Sequence, residues 1–347
     1  MTSTAAICST GTKTLSATPA GGTWSVVSGG GTISGTTYTP AAVTTDTNVT
    51  IKYTVAANGS CASTNSDVTF TVNPFAGTAN NTTSTAAICS TDTKTLSATP
   101  AGGTWSIILG GGTISGTTYT PAAVTTDTNV TIKYTVAANG SCASTNSDVT
   151  FTVNPFAGTA NNTTSTAAIC STDTKTLSAT PAGGTWSIVL GGGSISGTTY
   201  TPDAVTADTN VTIKYTVAAN GSCASTNSDV TFTVNPFAGT ANNTTSTVAI
   251  CSTDSKTLSA TPAGGTWSIV LGGGKITGTT YTPDAVTTNT NVTIKYTVAA
   301  NGSCASTNSD VTFTVNPFAG TANNTTSTAA ICSTDTKTLS ATPAGGT

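Results

Sequence analysis

Apolar and polar side chains alternate with a period of two along residues 48–55, where Val49, Ile51, Tyr53 and Val55 are separated by Thr50, Lys52 and Thr54. Residues 67–73 repeat the pattern with Val68, Phe70 and Val72. Successive side chains of a strand face opposite sides of a sheet, so this spacing predicts two half-buried strands. The NG-containing stretch 56–66 joins them into a hairpin. Shorter strand candidates come first: 13–18, then 22–27 after a Pro-Ala-Gly-Gly turn, then 32–34 and 37–39, the last stopped by Pro40. No stretch carries the helical period, because Gly, Pro and Thr interrupt every candidate.

This pattern recurs. Cysteine stands in the segment AICST at positions 8, 89, 170, 251 and 332, and in NGSCAST at 61, 142, 223 and 304, with a constant step of 81 in both series. Trp24, Trp105, Trp186 and Trp267 keep the same step. A period of 81 exceeds that of helical solenoids and propeller blades and suits a small β domain with its own core. The fold expected is all-β, a string of immunoglobulin-like β-sandwich modules arranged as beads. The modules are expected at 1–74, 75–155, 156–236 and 237–317, with a partial fifth at 318–347. Each indole is expected at the centre of its core, so Trp24 would lie among Leu15, Ile33, Tyr38, Ile51, Tyr53 and Phe70. Residues 73–81 join one module to the next. Pro74 stiffens the exit, and the Gly-Thr-Asn run reads either as a polar connector or as the first edge strand of the following module.

Charge narrows the function. Only 7% of residues are charged, and all of them are Asp or Lys, with a net charge of −3. The chain has no His, the commonest acid–base catalyst, and no Arg, the residue of bidentate phosphate contacts. Ten scattered Lys form no basic stripe, which argues against nucleic acid. No enzyme activity, cofactor or metal site is expected, and no apolar run approaches the length of a membrane span. Met1 falls where Thr82 stands one repeat later, and the sequence stops in mid-repeat at Gly346-Thr347. A window from a longer array is therefore expected, and the N-terminus does not read as an export signal. Thr-rich positions such as Thr69 and Thr71 read as solvent-facing strand residues.

Nine cysteines at regular spacing, with no zinc-like C-x2-C pair, read as a disulfide framework and hence an oxidising compartment. The favoured pairing lies within each module: Cys8–Cys61, Cys89–Cys142, Cys170–Cys223 and Cys251–Cys304. The alternative stitches neighbours through Cys61–Cys89. The first requires both cysteines at one end of the sandwich. They fall at opposite ends if residues 32–39 make two strands rather than one.

The run A-I-C-S-T, T-L-S-A-T, G-G-T-W-S, G-G-G-T-I-S-G, Y-T-P, V-T-I-K-Y-T-V, N-G-S-C and V-T-F-T-V-N-P resembles the Ig-like or PKD-like repeats of very large Bacteroidota surface proteins, such as gliding adhesins and type IX-secreted proteins. The resemblance covers the whole chain at the level of the module. It implies secretion, attachment at the cell surface and a role as stalk or adhesive fibre, with no active site. Two functions follow as expectations. One is a structural spacer or filament, in which identical copies self-associate and residues 326–347 lend a strand to a neighbouring chain. The other is a multivalent adhesin whose repeats each bind a glycan or another cell weakly.

Overall fold

The computed structural model describes residues 1–343, all of it strand, turn or irregular backbone. The end of the expected partial fifth module, 344–347, lies outside the described residues. In the first repeat the strands are β1 (Ile7–Cys8), β2 (Lys13–Thr14), β3 (Thr23–Ser28), β4 (Thr32–Ser34), β5 (Thr37–Thr39), β6 (Thr47–Val55) and β7 (Thr64–Asn73). They form two sheets, one ordered β1-β7-β6-β3 and the other β2-β5-β4. Seven strands split between two facing sheets in this connectivity make an immunoglobulin-like sandwich. The hairpin β6–β7 is its longest ladder, in register from Thr47 opposite Val72 to Val55 opposite Thr64. The same strand sets recur over residues 88–154, 169–235 and 250–316.

The core lies where the inner faces meet. Tyr38, Val49, Ile51 and Val72 are fully buried, joined by Leu15 and Phe70. Each of the other three repeats holds its own copy of this cluster. Placement within the sheets decides which aromatic is central. Tyr38 is on β5, the middle strand of its sheet, and meets Phe70 edge-on at 5.5 Å. Its hydroxyl donates to the Gly30 carbonyl at 2.8 Å, so the buried phenol keeps its hydrogen bond. Trp24 is on β3, an edge strand, and is only half-buried; it packs against the cluster and over Tyr53, with ring centroids 4.5 Å apart. Trp105, Trp186 and Trp267 sit the same way. The expectation that the indoles are central is therefore corrected: they flank the core, and the tyrosines of the middle strand occupy its centre.

One buried cation was overlooked at the level of sequence. Lys13 and Leu15 are two apart and so share a face, and both are buried. The Lys13 ammonium donates to the Ala5 carbonyl at 2.5 Å and lies 4.4 Å from the centroid of the Phe70 ring. That backbone bond and the ring face compensate its lost hydration. Burial pushes its pKa below the ordinary lysine value. Lys94, Lys175 and Lys256 repeat the arrangement.

The segment after β7 serves as both connector and strand. Asn80–Asn81 forms β8, antiparallel to Ala98–Thr99 of the second repeat. Here it closes a slot between that ribbon and the second repeat's long hairpin. Ala79 is buried against Tyr134 and Val136. The Ala79 amide donates to Thr145 Oγ1 at 2.8 Å, and Asn81 Nδ2 donates to the Ile132 carbonyl at 3.0 Å. Asn81 Oδ1 in turn accepts from the Thr83 amide. Ala241 and Asn243 make the same contacts in the fourth repeat.

The chain divides into two compact units. One comprises residues 1–159 with the hairpin tip 217–226, and the other residues 160–216 with 227–347.

Candidate functional site at the junction of repeats

The parallel pairing of β1 with β7 determines where the cysteines lie. Ile7 is opposite Val72 and Cys8 opposite Asn73, so Cys8 sits at the C-terminal, exit end of β7. Cys61 is in the hairpin turn before β7 begins, bridged to Asn58. The full length of β7 separates the two ends, about 30 Å at ~3.3 Å per residue. A disulfide needs Cα atoms within about 7 Å. The expected bridges Cys8–Cys61, Cys89–Cys142, Cys170–Cys223 and Cys251–Cys304 are therefore corrected. Residues 32–39 do make two strands, β4 and β5, which was the condition for opposite ends. Cys61–Cys89 fails too, because Cys89 lies beside Asn154 at the exit end of the second repeat.

The cysteines pair over a longer reach. Cys8 is bridged to Cys142, Cys89 to Cys223 and Cys170 to Cys304, each across 134 residues. The first cysteine of one repeat thus joins the hairpin turn of the next. Cα separations of 4.6–4.7 Å lie within the usual range. Cys61 and Cys332 are free and exposed, and Cys251 is free and half-buried.

The bridge is embedded in a built junction. The turn at Asn139–Cys142 rests on the exit end of the first repeat. Asn73 is buried there and its Oδ1 accepts from the Ser141 amide at 2.9 Å and from Ser141 Oγ at 2.8 Å. Its Nδ2 donates to Asp46 Oδ1 at 2.9 Å. Asn139 Nδ2 donates to the Pro74 carbonyl at 3.1 Å, and Thr145 Oγ1 donates to the Gly77 carbonyl at 3.0 Å. Asn154 with Ser222 and Asn235 with Ser303 repeat the motif. Asn316, which has no following hairpin in this chain, is exposed. Its exposure shows that the hairpin of the next repeat is what buries the others.

Gly140 is required at this contact. Its φ is +57°, and a Cβ there would stand 2.3 Å from Asn73 Cγ. Backbone strain of about 1–3 kcal/mol with loss of the Asn73 hydrogen bonds should shift bridged against open junction roughly tenfold. Refolding of Gly140→Ala under a glutathione buffer, followed by non-reducing peptide mapping, should give that loss of the Cys8–Cys142 peptide. Gly59→Ala is the control, since nothing lies within 4 Å of its Cβ position. Equal bridge yield in both variants would refute the steric account.

No protein-family model matches this chain, and no curated protein matches it. Among solved structures it is similar to the four-domain ectodomain fragment of ICAM-5, at 10% identity over 86% of this chain and 92% of that one, with a TM-score of 0.43. It is also similar to immunoglobulin domains 1–5 of Sidekick-1 (10%, 90% and 78%, 0.33) and to the EC1–4 fragment of Drosophila N-cadherin (9%, 88% and 94%, 0.28). At these scores nothing about ligands or partners passes from those proteins to this chain.

Two surface features lie outside the junction. A shallow groove beside Trp24 and Tyr53, floored by Leu15 and the Ala20-Gly21-Gly22 turn, recurs beside Trp105 and Trp267. On the edge strand β3 and its equivalents, Val27, Ile108 with Leu109, Val189 with Leu190, and Val270 with Leu271 are exposed. A register shift at each of these positions interrupts the ladder, which blunts an otherwise sticky edge. Among the described residues no group of three or more His, Cys, Asp or Glu side chains is placed to hold a metal, and no helix is long and apolar enough to cross a membrane.

The Asn73, Asn139, Ser141 and Thr145 contacts were not anticipated from sequence. Their only trace there is that the motifs V-N-P and A-A-N-G-S-C recur unchanged in all four repeats.

Proposed function

We propose that the chain is a non-catalytic, extracellular structural protein, a stalk or fibre segment at a cell surface that transmits tension along its repeats. The observation that carries this reading is the staple: the exit end of a repeat is covalently joined to the hairpin of its successor three times over. Such bridges persist in oxidising compartments. Identical junctions suit a length-setting part, because each repeat adds the same step.

The groove beside Trp24 and Tyr53 favours a second reading, a multivalent adhesin. Its aromatic wall and small polar rim are suited to sugar rings. Glycan-array binding by the oxidised chain separates the two. The structural reading expects no signal above that of a variant with Trp24, Trp105, Trp186 and Trp267 all replaced by Phe. Signal on particular glycans that the fourfold variant loses would move the assignment to adhesion.

A further inference from the structure

We propose that copies of this chain associate side by side, through a pair of apolar side chains that a β-bulge turns outward in each of the second, third and fourth repeats. The proposal rests on the structural reading above and names the partner: a second copy.

The bulge creates the pair. In the second repeat the edge strand Thr104–Leu109 runs against Thr128–Val136. As far as Ile107, which is opposite Ile132, it alternates regularly, with Trp105 and Ile107 packed against the core. Leu109 is then opposite Thr131, and Ile108 is left over. Thr131 lies between the buried Val130 and Ile132, so it faces outward. Its partner Leu109 faces outward with it. Strict alternation would have returned Leu109 to the core side with Trp105 and Ile107. The extra residue instead displays two consecutive apolar side chains, a re-aiming typical of bulges. Val189-Leu190 and Val270-Leu271 stand at the same register shift in the next two repeats. All six side chains are 49–58% exposed.

Protection of the edge does not call for these residues. The bulge already interrupts the ladder, and a polar residue serves as well at this place. The first repeat has the same bulge with Val27 and Ser28. Leucine in the other three repeats adds apolar surface beyond what blunting the edge requires.

The surroundings of the pair can be covered at little cost. Beside Leu109, Thr131 Oγ1 and Thr150 Oγ1 share a hydrogen bond of 2.7 Å, and Thr152 Oγ1 donates to Asn129 Oδ1 at 3.1 Å. Polar groups that are already bonded to one another lose little when water leaves. The same strands place Lys133 opposite Asp148, so this face carries one charge of each sign and two copies do not repel. The fourth repeat has the same bonds and the same charge pair.

Size and period select the occupant. One half-exposed pair is a small fraction of the about 800 Å² per partner that a stable contact buries. A single pair therefore holds nothing for long. Several pairs on one chain gain by effective concentration, provided that the partner presents its own apolar spots at matching intervals. A second copy does so whatever path the repeats take, because its pairs recur at the same step of 81 residues.

The test uses the full oxidised chain with Cys61, Cys251 and Cys332 capped by iodoacetamide, so that no disulfide can link two copies. Sedimentation velocity from about 1 to 100 µM should show reversible association. The triple variant Leu109→Ser, Leu190→Ser and Leu271→Ser carries the residue that the first repeat has at this bulge, so its fold is retained. Its dissociation constant should rise about a hundredfold. Ser28→Leu completes a fourth pair and should tighten association about fivefold. The proposal is overturned if the capped chain stays monomeric throughout the range, or if the triple variant associates like the parent. It is also overturned if the chain is monomeric and sediments with phosphatidylcholine vesicles, since the pairs then serve a lipid surface. None of these results alters the staples within one chain, so the structural reading would stand.

Discussion

Stretched in an optical trap under oxidising conditions, the chain between Cys8 and Cys304 is expected to reach a contour length of only about 100 Å, against about 1000 Å after reduction, at ~3.5 Å for each residue of the bonded path. The covalent topology dictates both numbers. With the bridges closed, the shortest bonded path runs from Cys8 to Cys142, along residues 142–170, and from Cys170 to Cys304. Only residues 142–170 can be drawn out before bonds bear the load. Reduced, the whole stretch from Cys8 to Cys304 is available. The overlapping Cys89–Cys223 bridge adds no slack, because its loop interlocks with both others. Each bridge also closes a 134-residue loop, which stabilises by about 5 kcal/mol in the chain-entropy account. Overlap makes the three contributions less than additive. Successive rupture steps of a full repeat under oxidising conditions would contradict the staple, as would equal contour length with and without reductant.

The strands of this fold were legible because alternation is a local signal. Val49, Ile51, Tyr53 and Val55 identify their strand and its buried face without reference to anything else. What alternation cannot reveal is the neighbour of a strand. Trp24 alternates as convincingly as Tyr53, yet β3 is an edge and β6 is interior, so one aromatic is half-buried and the other buried. The cysteines were misplaced for a related reason. β1 is two residues long, too short for any period, and its parallel pairing with the far end of β7 sends Cys8 to the exit of the module. Spacing along the chain offered only the shorter loops, Cys8 to Cys61 or Cys61 to Cys89. The true loop, Cys8 to Cys142, runs between repeats that are nearly identical in sequence, so no composition or motif distinguishes it. Lys13 was recoverable, since it is in phase with Leu15, but a lysine on a core face is read as solvent-facing unless its carbonyl and ring partners are known.

The centre of each core can be tested by truncating its two candidate aromatics in one repeat. Tyr119→Ala should unfold the second repeat, and Trp105→Ala should only weaken it. Tyr119 is fully buried on the middle strand of its sheet, meets Phe151 edge-on at 5.5 Å, and donates to the Gly111 carbonyl at 2.6 Å. Removing a buried aromatic costs about 3–5 kcal/mol, and the orphaned carbonyl adds about 1–3 kcal/mol. A domain of this size has a total stability of only about 4–12 kcal/mol, so the sum reaches the margin. Trp105 keeps part of its ring in solvent, so its truncation opens a surface notch rather than a closed cavity, at about half the cost. Hydrogen exchange followed by mass spectrometry reads the second repeat separately, because Ile107-Ile108-Leu109 occurs nowhere else in the chain. Amides along Thr104–Leu109 should lose protection in Tyr119→Ala and largely retain it in Trp105→Ala, with Tyr119→Phe between them because it keeps the ring but orphans the Gly111 carbonyl. The opposite order would return the indole to the centre of the core and remove the distinction between edge and middle strands on which the packing account depends.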